Sequence, residues 1–163
     1  MRAQGSRPRQ GGFTLIELMV SLTLLALLVS VALPLNELVT RRGKESELRR
    51  DLMTIRAAID AYKRQADAGD IALSADQSGY PPNLRVLVDG VENKRDPNHK
   101  KIYFLRRLPA DPMCDCGGKP PEDTWETRSY ASDADSFSSG DDVFDIRSSS
   151  KSEGINGIPY DKW

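Results

Sequence analysis

Few side chains in this sequence are placed to do chemistry, and the most unusual of them is an acid. Glu17 is the only ionisable side chain in the 23-residue run FTLIELMVSLTLLALLVSVALPL, from Phe13 to Leu35. A carboxylate is costly in hydrocarbon, so one kept in such a run asks for a partner. The other candidates are weaker. His99 is the only histidine, in the charged loop Asp96-Pro97-Asn98-His99-Lys100-Lys101, and a surface position accounts for it. The serines from Ser148 to Ser152 follow no nucleophile elbow, and the chain has no glycine loop of the kind that cradles a phosphate. Asp133 and Asp135 do not open an EF-hand, because Phe137 occupies the fifth position of that loop and Phe144 the twelfth. Cys114 and Cys116 are too few for a disulfide scaffold or a four-ligand zinc site. Spaced two apart, they leave three readings: free thiols, an exposed strained pair, or a link between subunits. Nothing in the set makes an enzyme.

The element that must hold Glu17 is an apolar helix, which at 1.5 Å per residue is about 34 Å long and enough to cross a bilayer. Arg2, Arg7 and Arg9 precede it with no acid among them. The positive-inside bias then puts the first dozen residues in the cytoplasm and the bulk of the chain across the membrane. A removable secretory signal cut near Ser30-Val31-Ala32 is one alternative, and a permanent single-pass anchor is another. The run is longer than an ordinary signal core, and a discarded peptide has no use for Glu17.

Composition limits the part of the chain beyond the apolar run. The 163 residues hold 23 basic and 24 acidic side chains; removing the three leader arginines leaves 20 basic groups against 24 acidic ones, which argues against a bulk polyanion binder. Aromatic residues make up 7%, so the soluble part has a small core and many loops. Arg41, Arg42, Lys44, Arg49 and Arg50 form a basic cluster just past the run, better suited to anionic headgroups or a neighbouring subunit than to nucleic acid.

The residues Gly11-Gly12-Phe13-Thr14-Leu15-Ile16-Glu17 resemble the cleavage and methylation site of the type IV pilin and pseudopilin superfamily. The resemblance implies that a prepilin peptidase cuts between Gly12 and Phe13, methylates the new amine and leaves the apolar helix attached. Glu17 becomes the fifth residue of the mature chain, where the family places its acid. In a filament core of bundled apolar helices its carboxylate needs a partner, and the amine of a neighbour's Phe13 supplies one and sets subunit register. A pair with its own amine, four residues away on the same helical face, stays open.

Pro34 removes a backbone donor, and a kink or local melting is expected there; Gly43 is a second weak point. Farther on, Leu48, Leu52, Ile55, Ile59, Tyr62 and Ala66 recur at spacings of 4, 3, 4, 3 and 4, with charged residues between them. This is an amphipathic stripe that packs on the chain's own head. The long helix is expected to end near residue 67, before Gly69. Asn83 is placed to cap a short helix carrying Leu84, Leu87 and Val88. Glu92 to Lys101 reads as a charged loop, Thr124 to Ala131 and Val143 to Arg147 as short antiparallel strands, and Ser132 to Asp142 as a loop. The fold class is α+β, a long N-terminal helix with a small antiparallel sheet and a loop-rich C-terminal region. The expected divisions are a leader over 1–12, a transmembrane and filament-core helix over 13–35, and a head over 36–163.

Several head motifs resemble the G-type major pseudopilin of type II secretion: Gly79-Tyr80-Pro81-Pro82, Leu108-Pro109-Ala110-Asp111-Pro112, Arg128-Ser129-Tyr130-Ala131, Asp141 to Ile146, and the ending Gly157 to Trp163. Met113 to Gly118 stand where that group usually has a tryptophan and glycine. The resemblance implies a structural, non-enzymatic subunit of a periplasmic filament that drives protein export. Its partners would be further copies, other pseudopilins, the prepilin peptidase, an inner-membrane assembly platform with its ATPase, and a secretin; no nucleic acid is implied. A type IV pilus subunit and a membrane-tethered ligand-binding module are the alternatives. The resemblance also implies calcium in the C-terminal loop, where Asp145, Ser148, Ser150, Ser152, Asn156 and Asp161 carry oxygen. Serines and Asn156 stand there in place of the more usual aspartates.

Overall fold

The computed structural model describes residues 12–163 apart from 75 and 134, without the side chains of 31–34. Arg2, Arg7, Arg9 and Gly11 of the leader lie outside the described residues, and the kink expected at Pro34 falls in the stretch 31–34, whose side chains are not described. The described chain forms two compact units, one up to Arg41 and one from Arg42 to Trp163.

Helix α1 runs from Leu15 to Asp67 and carries the apolar run from Leu15 onward and the whole amphipathic stripe. Its end is a Schellman motif: Gly69 N–H donates to Ala66 O and Asp70 N–H to Gln65 O, both at 3.0 Å. That geometry needs a left-handed residue, and Gly69 supplies it with φ 78°. The expected end near residue 67 is therefore set by Gly69, one residue beyond the helix cap.

In the first unit, the described side chains from Phe13 to Arg41 are all exposed. Leu15 is 78% exposed and Leu28 68%, figures that water would not tolerate along a continuous apolar rod. The helix is long and apolar enough to cross a membrane by length and composition.

The second unit is built on the other half of α1. Leu48, Leu52, Ile55, Ile59, Tyr62 and Ala66 are all buried, as the 4-3 spacing requires. They pack with Ile71, Leu84, Leu87, Trp125, Val143, Ile146 and Tyr160 into one core. Helix α2 (Val86–Asp89) is held at its start by the Asn83 side chain, whose Oδ1 accepts from Val86 N–H at 3.0 Å. Leu87 O then accepts from both Phe104 and Leu105 N–H, which lays the 102–108 segment beside α2.

Two small antiparallel ladders complete the unit. Strands β1 (Val91–Glu92) and β2 (Lys101–Ile102) pair Val91 with Ile102, and β3 (Trp125–Arg128) and β4 (Asp145–Ser148) pair Thr127 with Ile146. Glu92 to Lys101, expected as a loop alone, is thus a hairpin tip closed at its base by the pairing of Glu92 with Lys101. Its turn uses side-chain bonds: Asn93 Oδ1 accepts from Arg95 N–H and Asp96 Oδ1 from Asn98 N–H. These alternatives to a ladder are short-range and leave no apolar alternation in the sequence.

Strand β3 is shorter than the expected Thr124 to Ala131 because a 3-10 turn (Pro121–Thr124) takes its first residue and Ser129 N–H turns to Ser138 O. Strand β4 starts two residues later than expected, since Val143 N–H donates to Pro81 O instead of to a strand neighbour. Cys114 and Cys116 are joined to each other, their Cα atoms 5.1 Å apart. Of the three readings left open, the pair within the chain is the one observed.

Candidate processing and assembly site

The three residues on which processing and assembly would turn lie at the start of α1. Gly12 and Phe13 precede the helix and are exposed, Phe13 to 86%. A Cβ built on Gly12 would meet no atom of the described residues within 4 Å, and its backbone is not left-handed. Among the described residues nothing therefore calls for glycine at this position.

Glu17 does have a partner, and it is one that the sequence reading did not include. Its Oε2 accepts from Thr14 N–H and from the Thr14 hydroxyl, each at 3.0 Å, while Glu17 N–H donates to Thr14 Oγ1 at 3.3 Å. This is a reciprocal capping box, and its signature, Thr-x-x-Glu before an apolar run, is legible in Thr14-Leu15-Ile16-Glu17. The box satisfies donors at the helix start that have no carbonyl to reach, and it occupies one carboxylate oxygen with local hydrogen bonds. The first turn is tied further by Ser21 Oγ, which donates to Glu17 O at 2.7 Å.

The head motifs are positioned by two acids, Asp111 buried and Asp142 half-buried. Asp111, in Leu108-Pro109-Ala110-Asp111-Pro112, is 4% exposed. Its Oδ2 accepts from Ser148 Oγ at 2.7 Å and Ser149 N–H at 3.0 Å, and its Oδ1 from Met113 N–H at 2.9 Å. Trp125 Nε1 donates to Pro109 O at 2.8 Å, so the same motif also orients the core tryptophan. Asp142 accepts from the Ser78 hydroxyl, from Ser129 Oγ at 2.7 Å and from Tyr130 N–H at 2.8 Å. Burial works to raise its pKa, but those three hydrogen bonds outweigh burial and hold it below the usual carboxylate range. Beside it Tyr80, Tyr130 and Phe144 form an aromatic trio with centroids 5.1 to 5.8 Å apart. Three of the quoted head motifs thus meet at one place.

His99 sits in the β1–β2 tip with φ 51°, 3.9 Å from Glu92 and largely exposed. It is a turn residue. Among the described residues no cluster of three or more His, Cys, Asp or Glu is placed to hold a metal.

The start of the chain matches the family described as the prokaryotic N-terminal methylation motif, over residues 7–33. Over 107 residues the chain is 33% identical to the type II secretion system core protein G of Pseudomonas aeruginosa, covering 65% of this chain and 70% of that protein. The corresponding protein of Klebsiella pneumoniae is 31% identical over 108 residues, 64% of this chain and 69% of that one. The chain belongs to the type II secretion core protein G family. The Escherichia coli member is 29% identical over 108 residues, covering 64% of this chain and 67% of its own. No solved structure matches the chain. As a core protein G, it is a pseudopilin, a structural subunit and not an enzyme. Its apolar α1 anchors it to a membrane.

The calcium expected of a core protein G can be weighed against these donors. Asp145 Oδ1 accepts from Arg56 Nε at 2.8 Å and from Ile146 N–H at 2.7 Å. Ser148 Oγ is spent on Asp111 and on Ser150 N–H, and Asn156 Oδ1 accepts from Ile158 N–H at 3.0 Å. A calcium cage needs six to eight converging oxygens. At Asp145 Oδ1, Ser148 and Asn156 the oxygens are turned to N–H and O–H donors, and a guanidinium already sits on Asp145. The donor set does not fit the ion.

Proposed function

We propose that this core protein G is made as a precursor, cut between Gly12 and Phe13 by a prepilin peptidase, and polymerised through its apolar helix into a periplasmic filament. The filament drives export of folded proteins, assembled with other pseudopilins on an inner-membrane platform powered by a cytoplasmic ATPase and directed at a secretin. In this reading residues 1–12 are the leader, 13–35 span the membrane and then the filament core, and 36–163 are the periplasmic head.

One observation carries the reading. A methylation motif over residues 7–33 runs into the apolar part of α1, whose described side chains up to Arg41 are all exposed, so the surface left bare in one copy is covered first by lipid and then by like helices. Gly12 adds to it. A glycine that the described residues do not call for is consistent with a site read by an outside enzyme. Glu17 sets subunit register through its second oxygen, Oε1, paired with a neighbour's Phe13 amine.

Mass spectrometry of the mature N-terminus is the test. Methylated Phe13 as the first residue is the expected result, and a chain beginning after Ala32 overturns the reading. Glu17→Ala is expected to be exported and cut normally yet to form no filaments. Deletion of the protein is expected to abolish extracellular enzyme release while leaving surface fibres and twitching intact.

A further inference from the structure

The C-terminal segment, 145–163, is fastened to one face of α1 by side chains at 45, 49 and 56, whose separations of 4 and 7 keep them in line on a helix. Glu45 is 7% exposed, and its Oε1 accepts from Ile155 N–H at 2.7 Å and from the Tyr160 hydroxyl at 2.9 Å. The Arg49 guanidinium lies 4.4 Å from the centre of the Trp163 ring. Arg56 reaches three acceptors at once: Asp145 Oδ1 from Nε at 2.8 Å, and Ile146 O at 2.9 Å and Trp163 O at 3.2 Å from Nη2. It thereby joins the start of the segment to Trp163. Gly154 lets the chain close over this clasp, since a Cβ there would stand 2.7 Å from Trp163 Cζ2.

We propose that Arg56 does for this segment what a bound divalent cation would do, and that the head of this chain folds and stays folded without calcium. A guanidinium and a calcium ion meet the same need, positive charge brought to a carboxylate and to backbone oxygens that would otherwise face one another. The guanidinium is covalently part of α1 and presents its donors in a fixed plane, so it gathers those oxygens without a free ion. A dication placed against Asp145 would be repelled by Arg56. Charge balance and oxygen orientation point the same way.

The experiment uses the full chain in detergent, with hydrogen exchange of residues 145–163 and thermal melting read in calcium chloride and in EGTA. The wild type is expected to give the same protection and the same Tm in both. Arg56→Ala is expected to lose protection across 145–163, and calcium is expected not to restore it. Arg56→Lys keeps the charge but cannot span three acceptors, and is expected to lose part of the protection; it serves if Arg56→Ala does not accumulate. Loss of protection in the wild type on adding EGTA overturns the proposal. So does calcium rescue of either variant, or protection equal to wild type in either.

Discussion

The two ends of helix α1 are built from similar apolar residues and meet opposite fates. From Leu15 to Leu35 apolar side chains point in every direction, and the described ones are exposed. From Leu48 to Ala66 they fall on one stripe, and all six stripe residues are buried. Both stretches are helical, so neither helix propensity nor hydrophobic content separates them. Angular arrangement does. A ring of apolar residues needs an apolar surrounding, whereas a stripe needs only one covering face.

The contrast is sharpest in paired truncations. Ile55→Ala removes a side chain with no exposed surface and is expected to cost about 2 to 5 kcal/mol of head stability. Leu25→Ala, the same kind of truncation at a 57% exposed position, is expected to leave the melting of the head unchanged. Thermal melting of both full-length variants in detergent checks the pair, and equal losses would erase the distinction. A smaller effect is expected where a polar group does the holding. Asp111→Asn weakens a carboxylate that ties Met113, Ser148 and Ser149 together and is expected to cost about 1 to 3 kcal/mol in urea unfolding.

The smallest effect is a dependence on pH confined to the head. Because hydrogen bonds hold Asp142 low, its ionised form stabilises the folded state above the carboxylate's unfolded pKa of about 4, and that contribution fades as pH falls through the folded value. The Tm difference between wild type and Asp142→Asn is therefore expected to be full at neutral pH and to close in acid. A difference that widened in acid would reverse the sign.

The long helix was legible because its signals are periodic and dense, and its end because Gly69 has one conformational use there. The β3–β4 pair was legible in kind but not in extent, since its ends are decided by Ser129 turning to Ser138 and Val143 to Pro81, contacts between residues far apart in a loop-rich chain. The β1–β2 hairpin was not legible because two-residue strands carry no alternation to read. At the candidate site, Glu17 and Gly12 stand out by type alone. Thr14 did not, although Thr-x-x-Glu announces a capping box, because an acid in an apolar run points first to lipid and to neighbouring chains and its local use is hidden behind them. The clasp formed by Glu45 and Arg56 was beyond reach, as it joins positions 89 to 115 residues apart.

The bond between Cys114 and Cys116 encloses a single residue, Asp115. A link so short ties no distant parts of the polypeptide together and removes little freedom from the unfolded chain. Oxidation of this pair is consequently expected to add little to the stability of the head, and a reductant is expected to open a small ring while the body beneath keeps its shape.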